Sequence, residues 1–121
     1  MSTISTHILD TSLGTPAVGV RVSLERAHAT ESTARGMAMS MTSGVATAST
    51  DANGRIPAMG ESATEPGTYS LRFDTAEYFS RTGRPVFYPE VVVTFRIEAA
   101  DEHFHIPLLL SPFAYSTYRG S

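Results

Sequence analysis

Apolar and polar residues alternate along most of this chain, and the period is two. Ile4, Thr6 and Ile8 fall on one face of the first segment, and Ser5, His7 and Leu9 on the other. That is the pattern of a half-buried strand. Val18, Val20, Val22 and Leu24 alternate with Gly19, Arg21, Ser23 and Glu25, which predicts a second strand over 18–25. Tyr69, Leu71 and Phe73 mark another, and Val91, Val93, Phe95 and Ile97 a further one. Phe104, Ile106, Leu108 and Leu110 then alternate with His103, His105, Pro107 and Leu109, and Phe113 to Tyr118 reads as a last short strand.

Between these runs lie turn signals. Gly14 and Pro16 close the first segment, and Asp51-Ala52-Asn53-Gly54 is a turn from which Arg55 emerges directly. Residues 27–36 are polar without a strand period and read as a loop; a weak strand is expected from Met39 through Met41 and Gly44 to Thr50. Residues 57–67, rich in Gly, Glu and Pro, read as another loop. Asp74-Thr75-Ala76-Glu77 has the form of a capping box, with Asp74 as N-cap and Glu77 three residues on. It predicts one short helix to about Arg81, anchored by Tyr78 and Phe79 and ended by Gly83 and Pro85. Seven or eight strands with sandwich-like turn spacing and one helix predict an all-β sandwich. The 121 residues fit a single domain, 1–121.

Composition narrows the chemistry. There is no cysteine, which removes disulfides, thiolate nucleophiles and Cys-ligated zinc. Net charge is -3 with no basic run, which argues against nucleic acid as a partner. No apolar run approaches membrane-spanning length and no basic-then-apolar leader opens the chain, so a cytoplasmic protein without a membrane partner is expected. Only 17% of residues are charged, a surface compatible with subunit interfaces.

The candidate chemistry lies in histidine. His103 and His105 share the face opposite Phe104 and Ile106, and His7 opposes Ile8. Three of the four histidines therefore point away from the core. Surface histidines are the first reading of this pattern, hydrolytic histidines the second, and zinc held by His-x-His and a distant third His the last. Arg55 would be a solvated arginine or, if the turn aims it at the histidines, a clamp on planar carbonyl groups. The C-terminal run holds Phe113, Tyr115 and Tyr118, too aromatic for a flexible tail, so packing of these residues is expected.

Four segments carry a resemblance: Thr6-His7-Ile8-Leu9-Asp10, Asp51-Ala52-Asn53-Gly54-Arg55, His103 through Pro112, and Tyr115-Ser116-Thr117-Tyr118-Arg119-Gly120-Ser121. They resemble the transthyretin-related proteins that hydrolyse 5-hydroxyisourate, over nearly the whole chain. The terminal Tyr-Arg-Gly-Ser is the most specific part, because it separates the enzymes from the hormone carrier. The departure is residues 27–50, which are longer than usual and carry three methionines. The resemblance implies a prealbumin-type sandwich of two antiparallel sheets. It also implies a homotetramer with active sites at the dimer–dimer interface, a small-molecule substrate, and neither metal nor organic cofactor. By position it places catalysis on His7, Arg55, His105 and Ser121, and substrate binding on His7, Arg55, Tyr118 and Arg119. The implied reaction opens the N1–C6 amide of 5-hydroxyisourate. His105 suits the general base, His7 is a candidate to exchange its proton, and Arg55 would stabilise developing negative charge.

Overall fold

The computed structural model describes residues 3–29, 40–59, 65–98 and 102–120. Among these the alternating segments become two packed sheets. Strand β1 spans Thr3–Asp10, β2 Thr15–Pro16, β3 Arg21–Ala29, β4 Ser40–Ser49 and β5 Arg55–Ile56. Strand β6 spans Gly67–Phe73, helix α1 Thr75–Arg81, β7 Val91–Ile97, β8 His103–Ser111 and β9 Ala114–Thr117. The second sheet runs β4-β3-β6-β7 and is antiparallel throughout. The first runs β2-β1-β8-β9, with β5 also paired to β1.

One pair departs from the expected antiparallel sheets: β1 and β8 run parallel, with Thr3 beside His103, Ser5 beside His105 and His7 beside Pro107. Parallel neighbours need a long crossover. Here the whole second sheet and the helix intervene between the two strands, so the chain can return to the same end before β8 begins.

The core is the set of residues with inward parity. Ile4, Ile8, Phe104, Ile106, Leu108 and Leu110 from the first sheet meet Val22, Leu24, Tyr69, Leu71, Phe73 and Ile97 from the second, all buried. Each such side chain contributes about 1.5–3 kcal/mol by leaving water. Thr6 shares the inward face of β1; its hydroxyl donates to the Ile106 carbonyl at 2.6 Å, which satisfies a buried polar group.

The helix ties the sheets together at one end. Asp74 caps it by accepting from the Glu77 amide at 3.2 Å. The reciprocal half of the expected capping box is replaced: the Asp74 amide donates to the Arg21 carbonyl and the Glu77 carboxylate pairs with Arg81 at 3.0 Å. Tyr78 and Phe79 are buried as expected. The Tyr78 hydroxyl donates to Asp10 at 2.7 Å, and Arg84 pairs with the same carboxylate at 2.5 Å.

Three local expectations change. Val18 is exposed and the strand starts at Arg21, because Gly19 takes a positive φ of 75° that breaks the extended run. β3 runs on to Ala29, past the start of the loop expected over 27–36; the rest of that loop lies outside the described residues, as does Met39 at the start of the expected weak strand. The aromatic tail is paired to β8 and its rings touch Phe87 and Tyr88, but it is not buried within the chain: all β9 residues are exposed and Phe113 is 62% exposed.

Candidate active site

The outward face of the first sheet gathers the polar residues. Thr3, Ser5 and His7 share that face on β1, and His103 and His105 share it on β8. β5 adds Arg55 directly opposite His7. These two residues therefore stand side by side across an antiparallel pair.

The turn before β5 sets the aim of Arg55. Asp51 accepts from the amides of Asn53 at 2.8 Å and Arg55 at 3.0 Å, and its own amide donates to the Arg55 carbonyl. Those two amide bonds, the Arg55 one first, hold the Asp51 carboxyl below its ordinary value, with the charges of Arg55 and His7 adding to the effect. Gly54 carries the turn at φ 72°, and its carbonyl accepts from the Ile8 amide at 2.8 Å. A Cβ at position 54 would stand 2.6 Å from the Ile8 carbonyl oxygen, so glycine is required here twice over.

Arg55, Ser5, Pro57, His103 and His105 line one cleft of about 320 Å³. His105 is half-buried and hydrogen-bonded through Nδ1 to Ser5 Oγ at 2.8 Å. Burial pushes its pKa below 6.5, the positive charge of Arg55 pushes the same way, and any charge on His103 or His7 would add to the effect. These effects favour the neutral imidazole, the form that can accept a proton. The backbone of Gly120 closes over it: the Gly120 amide donates to the His105 carbonyl at 2.7 Å.

The other expected site residues are placed differently. Tyr118 and Arg119 line a separate, more apolar cavity of about 210 Å³ with Phe95, Phe104 and Ile106, at the mouth between the sheets. Arg119 sits over the Phe104 ring, 4.8 Å from its centroid. Phe104 faces the core side of β8 and His105 the outer side, so within one chain these two residues do not reach the histidine cleft. Ser121 lies outside the described residues. One cleft residue, Ser5, was not singled out from the sequence: it has no feature of its own in a serine-rich chain except its parity with His7. His103 was a candidate with His105 by parity, and of the two the resemblance carried catalysis to His105 alone.

A neutral imidazole beside a guanidinium can take a proton from water and hold a developing oxyanion. Among the described residues no group of three His, Asp or Glu side chains is placed to hold a metal ion.

Residues 4–120 match the sequence profile of the HIUase/Transthyretin family. The chain belongs to that family. Within it, the chain is 41% identical over 121 residues to mouse 5-hydroxyisourate hydrolase, covering 99% of this chain and 96% of that protein. The structure of the Klebsiella pneumoniae 5-hydroxyisourate hydrolase superposes with a TM-score of 0.77 at 39% identity, covering 98% of this chain and 99% of that one. Sea bream transthyretin, solved in complex with thyroxine, superposes equally well at 0.77 and 32% identity, covering 97% and 93%. Family folds therefore superpose alike on this chain, and any argument for an activity rests on the side chains of the site.

Proposed function

We propose that this chain hydrolyses 5-hydroxyisourate to 2-oxo-4-hydroxy-4-carboxy-5-ureidoimidazoline, a step of urate degradation. The observation that carries the reading is Arg55 and a half-buried His105 lining one cleft, in a chain related throughout its length to proteins of that activity. Hydrolysis of a cyclic amide needs three things: a base for water, a donor array for the tetrahedral oxyanion, and a proton for the leaving nitrogen. His105 Nε2 takes the proton of the attacking water and returns it to the ring nitrogen as the amide bond breaks. The Arg55 fork lies along the planar ureide and faces the oxygen where negative charge develops. His7, across from Arg55, is the second imidazole at the substrate. The reaction needs no metal and no organic cofactor.

The same reading takes the molecule to be a homotetramer whose sites lie at the dimer–dimer interface. It is supported by the exposed aromatics Phe113, Tyr115 and Tyr118 on and beside the edge strand β9. In the assembly Tyr118, Arg119 and Ser121 complete the substrate pocket. Among the described residues no helix is long and apolar enough to cross a membrane, and the proposed location is cytoplasmic.

The test is the ultraviolet decay of freshly generated 5-hydroxyisourate. The protein should accelerate it, and His105→Ala should remove the acceleration while leaving the assembly intact. Decay no faster than in buffer would leave a carrier of small aromatic ligands instead.

A further inference from the structure

The described polar face holds a continuous string of hydrogen bonds that the reaction above does not use. Thr3 Oγ1 lies 2.5 Å from His103 Nδ1, His103 Nε2 lies 3.1 Å from Ser5 Oγ, and Ser5 Oγ lies 2.8 Å from His105 Nδ1. Ser5 is 7% exposed, so its hydroxyl is committed to the two imidazoles. We propose that Ser5 holds His105 in its Nδ1–H tautomer and links it to His103, so that the positive charge gained with the proton from water is passed to His103 and rests there until His105 protonates the leaving nitrogen. The inference rests on the hydrolase reading for its chemistry and on the string alone for its geometry.

The direction follows from counting protons. A serine hydroxyl has one proton to give and lone pairs to accept with. If Ser5 donated to His105, His105 would carry its proton on Nε2 and could not act as the base. If His105 Nδ1–H donates to Ser5, the Ser5 hydroxyl donates to His103 Nε2 and His103 Nδ1–H donates to Thr3. Every donor then has an acceptor and His105 Nε2 is free for water.

The relay balances. Water gives a proton to His105 Nε2 as its oxygen bonds to the carbonyl carbon. His105 Nδ1–H passes to Ser5 Oγ while the Ser5 proton passes to His103 Nε2. His105 is neutral again, Ser5 keeps one proton, and His103 carries the charge. When the carbon–nitrogen bond breaks, His105 Nε2–H goes to the leaving nitrogen, Ser5 returns a proton to Nδ1, and His103 returns one to Ser5. The charge has a reason to move. His105 is half-buried and faces the positive charge of Arg55, whereas His103 is exposed at the rim. Ser5 and His103 act through His105 and are therefore positioning and relay residues.

Long-range proton–nitrogen correlation spectra of the imidazoles report the tautomers without substrate. The unaltered protein should show both His103 and His105 as Nδ1–H. Ser5→Ala should convert His105 to a mixture and lower kcat about tenfold or more, with KM within about twofold. Ser5→Thr, which keeps the hydroxyl, should restore both. His103→Gln should keep the His105 tautomer but lower kcat, because an amide accepts the bond and cannot take the proton. An Nε2–H tautomer of His105 in the unaltered protein overturns the proposal. So does a Ser5→Ala variant with kcat within about twofold, or a Ser5→Thr variant no better than Ser5→Ala. If the tautomers are as expected and 5-hydroxyisourate is not turned over, the reaction assignment fails and the string stands.

Discussion

Gly120 lies flat against His105. Its amide donates to the His105 carbonyl at 2.7 Å, and a Cβ at position 120 would stand only 2.5 Å from His105 Cδ2. That is closer than any side chain tolerates, so the tail reaches the imidazole only because the residue there is glycine. Gly120→Ala should therefore displace either the tail or the ring. β9, Tyr118 and Arg119 are exposed and bury little apolar surface, so unfolding free energy should change by less than about 1 kcal/mol. Activity should fall about tenfold or more, since a base moved by an ångström loses its alignment with water. Thermal unfolding and kcat measured on the same preparation separate the two effects.

Arg55 presents the opposite case, an exposed side chain on a rigid turn. Arg55→Lys keeps the charge and loses the planar fork, so kcat should drop by about a hundredfold with stability unchanged. Gly54→Ala should do both kinds of damage. It places a side chain at φ 72° and 2.6 Å from the Ile8 carbonyl oxygen, which should cost about 2 kcal/mol or more in urea unfolding. The re-aimed Arg55 should lower kcat as well. A Gly54→Ala protein with full activity would mean that the turn does not set the aim of the guanidinium.

The two-residue period made most strands legible, because a half-buried strand writes its inward and outward faces directly into alternate positions. Ile4–Asp10 and Val91–Ile97 are examples, and so is the outward parity of His7, His103 and His105. What joins distant strands was not legible. The parallel register that sets Ser5 beside His105 connects residues a hundred positions apart, and no local pattern encodes it. Ser5 stayed hidden for that reason: one serine among many acquires meaning only from its neighbours across the sheet. The two-residue β5 was missed because it is too short to show a period, although the Asp-Asn-Gly turn that creates it was plain. Tyr118 and Arg119 were grouped with the histidines by resemblance, and only the pairing of the tail to β8 shows that in a single chain they line the other cavity.

The cause of the lowered His105 pKa predicts the acid limb of the activity. Burial acts first and the charge of Arg55 second, and both favour the neutral ring. The active neutral form should thus persist below pH 6.5, and kcat/KM should fall only at more acid pH. The sign for stability is the same. A histidine held neutral in the fold contributes stability that is full above its unfolded pKa and is lost as pH falls through the folded one. Removing the Arg55 charge by Arg55→Met should move the acid limb upward toward the ordinary histidine value. A limb that stays in place would show that burial alone sets the shift.

The exposed aromatics bear on the assembly. Phe113 contacts Phe87 at 5.8 Å between ring centroids, and Tyr115 contacts Tyr88 at 5.2 Å, yet Phe87, Phe113 and Tyr115 remain exposed in the chain. If this patch is covered by a second copy, Phe113→Glu should lower the mass measured by light scattering and leave the circular dichroism spectrum unchanged. An unaltered mass would place the interface elsewhere.

Asp10 should govern stability in acid. It is fully buried at the end of β1, and burial alone would raise its pKa. Hydrogen bonds from Arg84, Tyr78 and Ser12 outweigh burial and hold it at about 2, below the ordinary 3.8. A carboxyl whose pKa is lower in the fold contributes stability above its unfolded value and loses it as pH falls through the folded one. The difference corresponds to about 2 kcal/mol, present at pH 7 and lost progressively between about pH 5 and pH 2. Asp10→Asn should remove that dependence. It should also destabilise the protein at neutral pH by about 3 kcal/mol or more, because Arg84 would lose its buried carboxylate. Urea unfolding of both proteins at pH 7 and pH 3 measures the two effects together. The stability gap between them should narrow in acid, and a gap of the same size at both values would mean that Asp10 is not the group that titrates.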